Sequence, residues 1–177
     1  YPAELDPGVD GADQKGVKWD DNFDSWTGPF VMAAVNSKVV RRSNALASLI
    51  YGADFAYDEA MLTTNRRSAL LLAGGMGAGM LAFAIGPLRR MIAKKLPQPG
   101  EGPSPSEREN GFFEFFVHAK HPDSTQKDVR VAVKGKRDPG YGATSRMIAQ
   151  AGLCLAFDDL DVEGGILTPA TALGVHL

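Results

Sequence analysis

The chain has 177 residues, enough for one domain with a sizeable core, and its formal net charge of −2 carries no nucleic-acid signature. The single cysteine, Cys154, excludes an intrachain disulfide and fits a reducing compartment. The opening Tyr-Pro-Ala-Glu is polar and acidic rather than a secretory leader, so the expectation is an intracellular, cytoplasmic protein.

Residues 1–26 hold seven acids against Lys15 and Lys18, and few apolar residues beyond Trp19, Phe23 and Trp26. Residues 1–27 therefore read as an extended acidic arm, its aromatics anchoring it to a body formed by 28–177. A binding role for those aromatics is the alternative. From Phe30 the pattern turns helical: Val31, Val35, Val39, Leu46 and Leu49 fall on one face. The same segment carries Asn36, Lys38, Arg41 and Arg42. Adjacent arginines are either a solvated face or a site for phosphate or carboxylate, because guanidinium offers a planar donor fork. In residues 51–60, Phe55 and Tyr57 alternate with small or polar residues, which suggests a short strand.

Residues 66–95 organise the chain. No charge occurs from Ser68 to Leu88, while Arg66 and Arg67 precede the run and Arg89, Arg90, Lys94 and Lys95 follow it. As a helix these 21 residues would span roughly 30 Å, about the thickness of a bilayer's hydrocarbon. Gly74, Gly75, Gly77 and Gly79 each cost an isolated helix about 1 kcal/mol relative to alanine, so the helix needs close packing on that face. Gly75 and Gly79 would share it. Pro87 lacks an amide hydrogen and predicts a kink or break near Gly86. Beyond it, Leu88, Met91 and Ile92 form an apolar stripe beside Arg89, Arg90 and Lys94, a basic amphipathic helix suited to an anionic surface. Three readings stay open: a buried core helix with a solvated basic end, a peripheral or monotopic membrane contact, and a true span. Gly75-Met-Gly77-Ala-Gly79 does not fit GxGxxG and sits inside an apolar helix, so it is no dinucleotide loop.

Pro97 to Asn110, rich in Pro, Gly and Ser, reads as a long loop, a mobile lid or a disordered connection. Phe112 to Ala119 is the strongest strand signal. Phe113, Phe115 and Val117 share one face and Phe112, Glu114, Phe116 and His118 the other, and so many aromatics predict cover on both. Val129, Val131 and Val133 alternate through a second strand, and the turn-rich link predicts an antiparallel hairpin. Asp138-Pro139 can begin a helix whose stripe is Ala143, Met147, Ile148, Ala151 and Leu155, with Cys154 a core residue rather than a nucleophile. Thr168-Pro169 reads as an N-cap with proline in the first turn. The short helix it announces would run uncapped to Leu177, and the chain opens without methionine. The expectation is a part of a longer polypeptide.

No HExxH or paired-cysteine spacing accompanies His118, His121 and His176, so no metal site is expected. Neither a GxSxG elbow nor a P-loop is present. The residues best able to do chemistry are Arg41, Arg42, Arg137, Asp138 and Tyr141. A tyrosine between two glycines can donate a proton or meet a substrate where backbone approaches a ligand closely; packing is the competing role.

Five stretches together, GPFVMAAVNSKVVRRSNAL (28–46), YGADFAYDEAM (51–61), GEGPSPSERENGFF (100–113), RDPGYGATSRMIAQAGLCLA (137–156) and GGILTPATALG (164–174), resemble the C-terminal part of saccharopine dehydrogenase-like oxidoreductases, in particular their trans-acting enoyl reductase branch. The resemblance implies an N-terminal Rossmann domain that binds NAD(P), with an α+β domain packed against it. Only the second domain is matched: the nucleotide fingerprint has no counterpart here, so no cofactor-binding residue is expected in this chain. It further implies a hydrophobic, enoyl or related lipid substrate, a homodimer, and a membrane or lipid-droplet surface met through 66–95. The expected architecture is α+β, a mixed or antiparallel sheet with helices packed on it, one of them long and apolar, and no Rossmann domain. Asn36, Arg41, Arg42, Arg137 and Tyr141 are the expected substrate contacts, with the catalytic groups unassigned. The chain would be inactive alone and active within a full-length NAD(P)-dependent reductase. The rival expectation is a non-enzymatic lipid-surface or assembly module that keeps the fold.

Overall fold

The computed structural model describes residues 11–98, 100–123 and 125–176. The first ten residues of the predicted arm lie outside them. The fold is α+β and both sheets are antiparallel. The chain forms two compact units, one running through Leu96 and rejoined by Val162–Gly174, the other formed by Pro97–Asp161 and the residues after Gly174.

The first unit is built on three strands, β1 (Lys18–Asp20), β2 (Ser25–Pro29) and β3 (Ala60–Thr63), in that order across the sheet. β1 lies within the stretch read from sequence as an arm, and β2 runs from that stretch into the predicted body at Gly28 and Pro29. Their pairing places Trp19 opposite Trp26, and the two rings meet edge to face with centroids 5.5 Å apart. Such a pair stabilises a short ribbon beyond its area alone. The strand expected within 51–60 instead begins at Ala60, where it gains β2 as a partner. Residues 51–59 form a loop whose aromatics stack on one another, Tyr51 on Phe55 at 5.3 Å and Phe55 on Tyr57 at 6.4 Å.

Helix α1 spans Ala33–Leu46. Its buried side is not the valine face. Val31, Val35 and Val39 are exposed, whereas Ala33, Ser37, Asn44 and Ala45 are buried. Small residues let the backbone approach its neighbours, and each polar one has a partner. Ser37 Oγ donates to the Ala33 carbonyl and to Asp13 Oδ1. Asn44 accepts from Tyr51 N at 2.9 Å and donates to the Gly52 carbonyl at 3.2 Å, closing the helix C-terminus.

The apolar segment is helical, as its composition predicts. Helix α2 spans Arg66–Ala84, and Asn65 caps it by accepting from Ser68 N at 2.9 Å. It ends where Ile85 turns extended, and α3 (Gly86–Ala93) follows with Pro87 in its first turn. The predicted break at Gly86 is therefore present. The predicted close packing of the glycine face is not: nothing approaches within 4 Å of a Cβ placed at Gly74, Gly75, Gly77 or Gly79, and Ala69 is the only α2 residue that is buried. α2 rests on the sheet through its first two turns. A Cβ built on Gly28 would come 2.9 Å from Leu72 Cδ2 and 3.5 Å from the Ala69 carbonyl, and Arg66 lies over the Trp26 ring at 5.5 Å. Glycine at 28 thus leaves room for the Leu72 side chain where α2 crosses β2, room that a branched side chain would fill. Gly28→Val is expected to lift α2 and destabilise this unit by about 1–3 kcal/mol, read as a lower urea midpoint, whereas Gly74→Ala, on the open side, should stabilise the helix slightly.

Helix α6 (Pro169–Leu173) completes the unit. Thr168 precedes Pro169 as predicted and exchanges hydrogen bonds with Thr171, and the Ser43 hydroxyl meets that of Thr168 at 2.7 Å. The α-helix stops at Leu173, where Gly174 takes up a φ of 53°, and a 3-10 turn continues through Gly174–His176; Leu177, the expected end, lies outside the described residues.

The second unit contains α4 (Pro105–Asn110), the hairpin β4 (Phe112–Ala119) and β5 (Val129–Lys136), and α5 (Gly142–Phe157). α4 replaces part of the expected loop. Ser104 accepts from Glu107 N at 3.3 Å while Glu107 accepts from Ser104 N at 2.8 Å, a capping box with proline next in line. The antiparallel hairpin runs from Phe112↔Lys136 to Ala119↔Val129. Its face of Phe113, Phe115, Val117, Val131 and Val133 is wholly apolar, and the Phe113 ring lies against Gly135 opposite it. The other face pairs Glu114 with Lys134 at 2.7 Å. The expected cover is missing: Phe112, Phe115, Phe116, Val117, Val131 and Val133 are all exposed. On α5, Met147, Ile148 and Leu155 are likewise exposed and the buried residues are Gly142, Ala143 and Cys154.

Candidate functional site

The five sequence-predicted contacts fall into two clusters, one in each unit. In the first unit, Arg41 reaches across the loop that follows α1. Its guanidinium donates to the carbonyls of Gly11 and of Tyr57, the latter at 2.7 Å, with Asp13 at 3.6 Å. Asn36 donates to Glu59 Oε2 at 2.9 Å, and the Tyr57 hydroxyl donates to Glu59 Oε1 at 2.8 Å. Partial burial, with Glu59 as acceptor and negative neighbour, pushes the Tyr57 phenol far above its usual range. Tyr57 is therefore a protonated donor at neutral pH, not a base. Arg42 donates to the Ile166 carbonyl at 2.8 Å and so ties α1 to the segment entering α6. The arginine pair thus clamps backbone: a planar fork suits two carbonyls from separate segments as well as it suits an oxyanion.

In the second unit the sequence Arg137-Asp-Pro-Gly-Tyr-Gly forms a tight corner. Asp138 accepts from the amides of Gly140 at 3.0 Å, Tyr141 at 2.9 Å and Gly142 at 2.6 Å. Its own amide donates to the Arg108 carbonyl at 3.1 Å, and its carbonyl accepts from Ala143 N at 2.8 Å. Desolvation alone would raise the Asp138 pKa; the amides of Gly142, Tyr141 and Gly140, with Arg108 nearby, outweigh it and hold the carboxyl below the usual range. Asp138 is thus the anion that caps the start of α5. Arg137 sits at a φ of 78° and donates to Glu109 at 3.0 Å. Glycine at 142 is a steric requirement: a Cβ there would stand 2.8 Å from the Arg108 carbonyl and 2.8 Å from Asp138 Oδ2. Tyr141 is the outlying member. Its backbone is fixed by Asp138, while its side chain is 58% exposed and passes beside Gly102.

Cys154 is buried, and the Asp158 carboxylate accepting from the thiol, together with burial, pushes its pKa up, as befits a packing residue. His118 Nε2 lies 2.9 Å from Asp128. No three of His, Cys, Asp and Glu gather as a metal site among the described residues. Sequence reasoning missed Glu59 and Asp13, the acids that the first cluster turns on; their spacing from Asn36, Tyr57 and Arg41 carries no local signal. It set a helix start at Asp138-Pro139; α5 begins instead at Gly142, and Asp138 serves that start from four residues upstream by accepting from the Gly142 amide.

No family model matches the chain, and no solved structure matches it. Curated proteins do. A Mycobacterium tuberculosis protein provisionally named a trans-acting enoyl reductase is 37% identical over 158 residues, 84% of this chain and 37% of its own length. The trans-acting enoyl reductase of Mycobacterium bovis is 37% identical over 159 residues, and that of Mycobacterium ulcerans 34% over 160, each with the same 84% and 37% shares. The chain thus spans little more than a third of the length of the curated relatives it matches, and what it is similar to is one part of proteins named trans-acting enoyl reductases.

Proposed function

We propose that this chain is the substrate-side part of a saccharopine dehydrogenase-like, NAD(P)-dependent oxidoreductase that reduces a hydrophobic enoyl substrate. The observation that carries the reading is similarity over 84% of the chain to proteins named trans-acting enoyl reductases. Hydride comes from a nicotinamide cofactor on a Rossmann domain outside this chain, and this part supplies a wall of the substrate cleft. Among the five candidate contacts, Asn36, Arg41, Arg42 and Arg137 are engaged by Glu59, backbone carbonyls and Glu109, which supports a structural role for each within its own unit. Tyr141 is the substrate contact: a fixed backbone with an exposed phenol is the arrangement a hydrogen bond to an enoyl carbonyl needs.

The test joins the chain to its upstream coding sequence, which should encode a strand followed by GxGxxG. The joined protein is expected to oxidise NADPH or NADH with a long-chain enoyl thioester, and Tyr141→Phe to lower kcat/KM roughly tenfold while leaving the unfolding midpoint unchanged. No turnover with any lipid enoyl substrate would defeat the reading. The exposed apolar α2 favours a second one, a lipid-surface or assembly module without activity, which a degenerate upstream glycine loop would support.

A further inference from the structure

We infer that α2 and α3 form an interfacial anchor that lays the first unit on an anionic lipid bilayer, an attachment independent of the enoyl-reductase reading. Three observations carry it. First, α2 is apolar and open: Leu71 is 77% exposed, Met80 74% and Leu81 64%, and Ala69 alone among its residues is buried. A helix belonging to this chain's own core would be covered by the chain's own residues, and this one is not. Second, charge selects the occupant. Between Glu59 and Glu101 the charged residues are Arg66, Arg67, Arg89, Arg90, Lys94 and Lys95, six cations and no acid. A second copy seated on this face would set like charges against each other, whereas an anionic leaflet neutralises them. Third, α3 is amphipathic. Leu88 and Met91 are exposed on one side, with Arg89 and Arg90 beside them, and long basic side chains reach the headgroups while their stems stay in the apolar layer.

The same geometry makes the contact interfacial rather than spanning. The first two turns of α2 are occupied by β2, where Ala69 is buried and Leu72 meets Gly28. From Ala73 to Ala84 the free part of the helix is only about 18 Å long, against a hydrocarbon core of about 30 Å. At Ile85 the chain breaks, and the cationic α3 follows at once. A span would have to carry α3 across the bilayer; a helix lying in the headgroup boundary keeps all six cations at the phosphates.

The test is flotation of the whole chain with sealed vesicles, either pure phosphatidylcholine or phosphatidylcholine with about a third phosphatidylglycerol. The wild-type chain is expected to float with the anionic vesicles and to stay below with the neutral ones. Each cation near an anionic leaflet contributes roughly a fivefold factor, so Arg89→Gln with Arg90→Gln should lower the partition roughly twenty-five-fold. Leu81→Asp, at a position open to solvent in the free chain, should abolish flotation, with an unchanged far-ultraviolet spectrum as the check on folding. An impermeant amine reagent added outside should modify Lys94 and Lys95 on the bound protein. The inference is overturned by a wild-type chain that stays below, by equal flotation with neutral vesicles or of the double variant, or by protection of both lysines that detergent relieves.

Discussion

Gly111→Ala is expected to unfold the corner that joins α4, β4 and α5. A Cβ at Gly111 would stand 2.5 Å from the Asp138 amide nitrogen and 2.6 Å from its Cα. Both are backbone atoms, so no rotamer change relieves the clash. The Asp138 backbone would have to retreat, taking with it the hydrogen bond to the Arg108 carbonyl and the carboxylate that receives the amides of Gly140, Tyr141 and Gly142. Overpacking together with a broken backbone hydrogen bond amounts to about 3 kcal/mol. The readout is the urea midpoint of the second unit, with loss of amide-exchange protection in the first turn of α5. Gly102→Ala is the control. Its Cβ would meet Tyr141 at 3.7 Å, an ordinary contact, and the variant should unfold like wild type. A Gly111→Ala protein as stable as that control would mean that the corner is not built as described.

That corner marks where legibility ended. The hairpin was readable because each strand repeats with period two, and the turn-rich link fixed its direction. The break in the apolar helix was readable because proline removes a donor wherever it stands. Ser104-Pro-Ser-Glu107 carried its capping box in plain view, yet the surrounding prolines and glycines outweighed it. Burial was the least legible property. Periodicity on α1 and α5 identified apolar faces whose members Val31, Val35, Val39, Met147, Ile148 and Leu155 stand open, while most covered positions are alanine, glycine, serine and asparagine; of the expected core residues on α5, Ala143 and Cys154 are covered. Close backbone approach selects small residues, so a packed face can look polar in sequence. The sites followed the same rule. Arg41, Arg42 and Arg137 were found because guanidinium chemistry is conspicuous, but residue type alone does not say whether the fork meets a substrate or a carbonyl of its own chain. Glu59 was hidden because its partners, Asn36 and Tyr57, reach it from α1 and from the loop before β3.

Arg41 decides between those two uses, and its replacement carries the other large effect. Arg41→Ala removes donors to the Gly11 and Tyr57 carbonyls and the ion pair with Asp13, from a side chain that is only 11% exposed. Hydrogen bonds from a charged donor are worth about 1.5–3 kcal/mol each, and truncation also leaves the acceptors desolvated. A loss of about 3–4 kcal/mol in the first unit is therefore expected, visible as a lower urea midpoint and as faster proteolysis of the 51–59 loop. Arg41→Lys retains the charge but offers a point donor on a flexible stem, which cannot bridge two carbonyls held in a fixed plane. It should recover less than half of the loss. Ser37, which shares Asp13 with Arg41, provides the coupling test. In a double-mutant cycle, Ser37→Ala and Arg41→Ala should be less than additive, because either one releases Asp13. The opposite result is equally plain: Arg41→Ala with wild-type stability, but with binding of an anionic substrate lost in the joined protein, would make Arg41 a ligand contact and return the arginine pair to the site.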